Sequence, residues 1–222
     1  MSAEPSKFVS QWRGLRFLQL LLFIVAALLL FPFLARFRIA VLAIQILILN
    51  GILVAISATR RGATRRLLIG ACVGDIALEA ISRWVPAEGL PLVADAASAI
   101  VLALCVAVIL AHVFRSSEIT ADTILAAIVA YLFLAIAFSR AFVIVESVSP
   151  TSFDLRAGVN AEFELLYFSF ITIATLGYGD VVPRLPTAQI VAMLEAVIGQ
   201  FYVAVLIAWL VSVHAGGRGR GR

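Results

Sequence analysis

Residues 160–180 read NAEFELLYFSFITIATLGYGD. Asn160 is a favourable helix N-cap, and Glu162 and Glu164 put acids in the first turns, where the positive end of a helix dipole favours them. The helix that starts there, over about 161–174, is too short to cross a bilayer core, which takes about 20 residues. It gives way to Thr175-Leu176-Gly177-Tyr178-Gly179-Asp180. Irregular backbone at membrane depth is tolerated only where it is buried in protein or lines a water-filled cavity. A helix C-terminus aimed at that cavity favours cations. Gly177 and Gly179 adopt backbone angles that other residues resist, so successive carbonyls can point one way. Such a strip is a ladder of oxygens that can replace the hydration shell of a bare monovalent cation at low net cost.

The rest of the chain supplies the membrane this reading needs. Of 222 residues 63% are apolar and 14% charged, and the mean hydropathy is +1.10. Soluble domains are about half apolar and a quarter charged, so the surplus faces lipid. This argues against a soluble enzyme, a disordered chain and a nucleic-acid-binding domain, and makes the net charge of +4 a topology signal. Cys72 and Cys105 lie in apolar runs and read as small buried hydrophobes, with no disulfide framework.

Six apolar runs are near spanning length: 17–35, 38–58, 67–85, 92–114, 119–146 and 187–213. The first is too long for a signal peptide and has no small-residue cleavage site after it, so it reads as a retained anchor. Arg60, Arg61, Arg65 and Arg66 crowd the loop after the second run, on the side of the N-terminus, which makes that side cytoplasmic. Six crossings return the C-terminus to the same side, where Gly216 to Arg222 read as a flexible basic tail suited to lipid headgroups. Glu88, Glu146, Asp154 and Asp180 fall outside with Arg156 and Arg184, and the loop at Arg36 and Arg38 is the exception, basic on the external side. The expected fold is an all-α membrane protein with six transmembrane helices, a re-entrant pore helix and a filter loop. Residues 1–16 form a cytoplasmic N-terminus, 17–115 a four-helix sensor-like domain, 116–213 a pore domain and 214–222 the tail. The expected location is a plasma or bacterial inner membrane, with both termini cytoplasmic.

TLGYGD resembles TVGYGD, the pore motif of the tetrameric potassium channel family, with Leu176 in place of Val. The resemblance covers about 119–213. It implies ion sites at the carbonyls of Thr175, Leu176, Gly177 and Tyr178 with the Thr175 hydroxyl, a turn at Gly179, and Asp180 at the outer mouth. Tyr167 and Phe168 match the aromatic pair that packs around the filter. Ile171 stands where some members place a Glu that partners the outer Asp, so the bracing of Asp180 departs from that pattern. Four copies complete the cage, which implies a homotetramer in lipid with K+ as the permeant ion, no cofactor and no nucleic-acid partner.

Gly199 matches the hinge glycine of the family's inner helix; close helix packing is the competing reading. Glu195, an intramembrane acid, is expected to hydrogen-bond the back of the pore helix, with Gln200 a possible member of the network. The run 92–114 has no basic residue at every third position, only Asp95 and His112 near its ends, so weak voltage dependence is expected. Asp75, Glu79 and Arg83 lie along one helix face, a polar seam in which Glu79 pairs with Arg83, Asp75 reaches to another helix and Arg140 is a possible partner. Gly70 and Gly74 form a GxxxG suited to a close helix contact. His112 reads as an interfacial residue, with a pH switch the alternative.

Beyond about 214 only the tail remains, so a gate is expected in the filter, the sixth run or the first four. No metal-ligand cluster, nucleophile pair or phosphate loop is visible, and no enzyme is expected. A poorly selective cation channel is the rival within transport, and a non-conducting sensor or auxiliary subunit the rival of another class.

Overall fold

The computed structural model describes residues 16–34, 62–85, 89–116 and 119–219. It contains six helices among them: α1 (Arg16–Leu34), α2 (Gly62–Trp84), α3 (Leu90–Arg115), α4 (Ala121–Val148), α5 (Ala161–Ile173) and α6 (Pro186–Gly219). The expected run 38–58 and the arginines at 36, 38, 60 and 61 lie outside the described residues. No strand occurs among the described residues, where the one isolated antiparallel bridge joins Phe153 to Pro183.

Helices α3, α4 and Pro186–Val213 of α6 are long and apolar enough to cross a membrane, and α1 holds a shorter apolar stretch, Phe17–Leu30. Local chemistry explains several ends. The Thr120 side chain accepts a hydrogen bond from the Thr123 N–H at the start of α4, and α3 begins after Gly89 at φ 83° with Pro91 in its first turn. The sequence reading ends the last spanning helix at 213 and frees the tail; the backbone instead stays helical through Gly219. The apolar span still stops at Val213, so the extra turns extend the helix beyond the part suited to lipid.

Two apolar clusters organise the packing. The larger joins Phe17, Leu20 and Ile24 of α1, Leu68 and Cys72 of α2, Leu102, Cys105 and Ile109 of α3, and Ala126, Ala130 and Phe133 of α4. Both cysteines are free and buried there. The smaller is built on Phe142, Phe153 and Phe168, whose rings meet edge to face with centroids 5.1–5.4 Å apart. Burying several such side chains at about 1.5–3 kcal/mol each in a water reference is what fixes α4 as the common wall of both clusters. Gly70 and Gly74 are exposed, and among the described residues a Cβ at either would meet nothing within 4 Å. They sit half a turn away from Leu68 and Cys72, so the close-packing face of α2 is the other one.

The polar seam is partly as expected. Asp75 is buried and accepts a hydrogen bond from Ser98 Oγ of α3 at 2.7 Å. Arg140 of α4, the possible partner of the seam, forms its ion pair with Asp95 of α3, Nη1 lying 3.1 Å from Oδ1. Its long side chain reaches the acid on the helix packed most extensively against its own. The ring of His112 stacks on Phe17 at 6.2 Å, which sets it against α1.

Candidate ion-conduction site

Helix α5 begins as its residues dictate. Asn160 accepts the Phe163 N–H at 3.0 Å through its side chain, and Glu162 and Glu164 occupy the first turn. After 13 residues the helix unwinds: Thr175 N–H donates to Thr172 O at 2.9 Å and Leu176 N–H to Ile171 O at 2.8 Å, tightening its last turn.

The backbone then alternates. φ is positive at Thr175 (60°), Gly177 (53°) and Gly179 (77°) and negative at Leu176 and Tyr178 between them. Left-handed backbone costs an L-residue about 1–2 kcal/mol, and glycine removes that cost at two of the three positions. Thr175 bears it, and the two-glycine reading of the sequence gave no signal for this. Alternation of hand along the segment 175–179, called the strand below although it pairs in no β-sheet, turns successive peptide planes so that carbonyls can share a side, the arrangement that oxygen coordination of a dehydrated cation requires. Added Cβ atoms at Gly177 and Gly179 would meet nothing within 4 Å, so backbone angle, not crowding, demands glycine there.

A frame holds this strand from both ends. Asp154 N–H donates to Val182 O at 2.9 Å and Arg184 N–H to Ser152 O at 2.7 Å, tying the segment before α5 to the segment after the strand. Arg184 also pairs with Asp154 on the surface. Glu146 braces the first of these segments by accepting the Thr151 and Phe153 N–H groups at 2.9 and 3.0 Å. Glu164, fully buried, accepts the Arg156 backbone N–H at 2.7 Å and binds its guanidinium. That contact holds the Arg156 guanidinium charged more firmly than usual.

The expected site residues fall as follows. Tyr167 is partly buried against the cluster of Phe142, Phe153 and Phe168. Phe168 packs on Phe142 and Phe153, and its cluster includes Val181, directly after the strand. Ile171 is buried, and its carbonyl receives two N–H groups of the strand. Leu176 and Tyr178 are largely exposed on a single chain. Glu195, fully buried, is in hydrogen-bond contact with Ser169 on the back of α5. Gly199 faces Ile173 so closely that a Cβ there would lie 2.6 Å from its Cγ1.

Residues the sequence reading missed complete the wall behind the strand. Tyr131 of α4 donates its hydroxyl to Ile173 O at 2.8 Å, and the Tyr202 hydroxyl of α6 donates to Ala127 O of α4. Ser169 Oγ also lies 2.6 Å from Ala135 O. An OH-bearing ring on an apolar helix was the available signal, since a buried Tyr hydroxyl usually finds a partner.

The sequence pattern of the ion channel family matches residues 99–214, more than half of the 222-residue chain, and those residues include the whole site. The chain belongs to that ion channel family. The chain is also similar to two pore potassium channel c of Oryza sativa subsp. japonica, 31% identical over 86 residues. Those residues are 38% of the channel described here and 17% of the rice protein, so the chain spans only a small part of that relative. No solved structure matches the channel. Family membership and the membrane-capable helices together point to ion-channel function in a membrane.

Proposed function

We propose that the protein is one subunit of a homotetrameric, potassium-selective channel that conducts dehydrated K+ through a four-fold filter of the Thr175, Leu176, Gly177 and Tyr178 carbonyls. Asp180 stands at its outer mouth. The observation that carries the reading is the alternation of backbone hand at Thr175, Gly177 and Gly179. One strand supplies one quarter of each oxygen ring, so four copies are needed. The exposure of Leu176, Tyr178 and the apolar face of α6, including Met193, Val197 and Phe201, supports an assembly in which neighbouring subunits and lipid cover them. The likeness to a potassium channel supports the choice of ion.

In this reading six spans cross a cell membrane with both termini cytoplasmic, and the region before α4 is a peripheral domain without mobile basic charge. Moving one charge is worth only about 2.3 kcal/mol per 100 mV, so conduction is expected to depend weakly on voltage.

The test is cation flux through liposomes holding the purified protein, with potassium or sodium as the permeant ion and Tyr178→Ala as control. Potassium flux that fails in sodium and disappears in the variant is expected. Equal flux of both ions would remove the selectivity, and Gly177→Asp leaving flux intact would remove the filter.

A further inference from the structure

A hydrogen count at Ser169 decides the charge of Glu195. Ser169 Oγ contacts two oxygens, the Ala135 carbonyl and Oε1 of Glu195. A hydroxyl has one hydrogen to give and two lone pairs to receive with. The Ala135 carbonyl carries no hydrogen, so that contact takes the hydrogen of Ser169. The contact with Glu195 then needs a hydrogen from the carboxyl.

The surroundings agree. Among the described residues Glu195 Oε2 is buried with no hydrogen-bond partner, a tolerable state for a neutral carboxyl and a costly one for a carboxylate. From α4 the titratable group facing it is the Tyr131 phenol, and from α5 its polar neighbour is Ser169. The basic side chains nearest the pore unit are engaged elsewhere, Arg140 with Asp95, Arg156 with Glu164 and Arg184 with Asp154.

We propose that Glu195 is a neutral proton donor in a chain Glu195 to Ser169 to Ala135 that ties the inner helix α6, the pore helix α5 and the outer helix α4 together behind the filter, and that loss of this proton releases the tie. An ionised Glu195 takes the Ser169 hydrogen for itself, and the Ala135 carbonyl loses its link to α5. The direction follows: the tie holds while Glu195 keeps its proton and opens as pH rises. Glu195 is thus a positioning residue for conduction, acting through the seat of the filter helix and not on the ion. The consequence for conduction rests on the potassium-channel reading above; the protonation does not.

The experiment has two arms. Infrared difference spectra of wild type against Glu195→Gln, in lipid at neutral pH and in light and heavy water, are expected to contain a protonated-carboxyl C=O band that belongs to wild type and shifts on deuteration. A difference confined to carboxylate bands would overturn the proposal. In the second arm potassium flux is followed with pH equal on both sides. Wild type is expected to lose flux as pH rises, whereas Glu195→Gln, whose amide donates in the same place at every pH, retains flux without that loss. Glu195→Ala, with no donor, is expected to lose flux roughly tenfold at neutral pH, as for one buried hydrogen bond broken on one side. Equal alkaline sensitivity of wild type and Glu195→Gln would overturn the release. An absence of flux in wild type would defeat the channel reading, and the infrared arm would still decide the proton.

Discussion

Gly199 of α6 and Ile173, the last residue of α5, are in direct contact through the place where any other residue would carry a side chain. A Cβ at 199 would lie 2.6 Å from Ile173 Cγ1 and 3.1 Å from its carbonyl oxygen. That carbonyl also accepts the Tyr131 hydroxyl at 2.8 Å. The end of α5 is therefore gripped between α4 and α6 within a residue or two of Thr175.

Gly199→Ala is expected to destabilise the protein by about 1–3 kcal/mol, because the Ile173 side chain must shift and its backbone cannot move without losing Tyr131. Thermal unfolding in detergent or lipid measures this. Unchanged stability with altered gating would show that Gly199 serves as a hinge and that the contact yields freely.

Arg140→Met is expected to cost about 3 kcal/mol, the low end for breaking a buried ion pair, since it strands the Asp95 carboxylate between α3 and α4. Pairing it with Asp95→Asn should recover most of that loss. Unfolding midpoints of the two single variants and the double variant check the coupling.

Glu164→Ala is expected to cost about 1–3 kcal/mol by removing the fully buried carboxylate that accepts the Arg156 N–H and leaving that part-buried donor without its acceptor. Arg156→Ala keeps that N–H but strands the fully buried Glu164 carboxylate without its charged partner, so it should destabilise the protein at least as much. A clearly smaller loss in Arg156→Ala than in Glu164→Ala would mean that the backbone hydrogen bond, not the side-chain pair, holds the loop to α5.

Much of the architecture was legible because its causes are local. The N-cap of Asn160, the short apolar length of α5, the glycines at 177 and 179 and the long apolar runs of α3, α4 and α6 each follow from a residue and its near neighbours. Positive φ at Thr175 was not legible, since threonine has no preference for it and only the tightened end of α5 and the strand beyond impose it. At Gly70 and Gly74 a local pattern suggested a close contact that no described helix supplies.

Hydropathy and backbone preference, which act within a turn or two of chain, were enough to specify a membrane protein with a half-length helix running into a carbonyl strand. Which partner each buried polar group takes was decided only by the packed helices. Ser169 meets a carbonyl 34 residues before it and a carboxyl 26 residues after it, and Arg140 meets an acid 45 residues away. Such pairings depend on the rotation and depth of one helix against another, set jointly by every apolar side chain in the interface, and no spacing along the sequence encodes them.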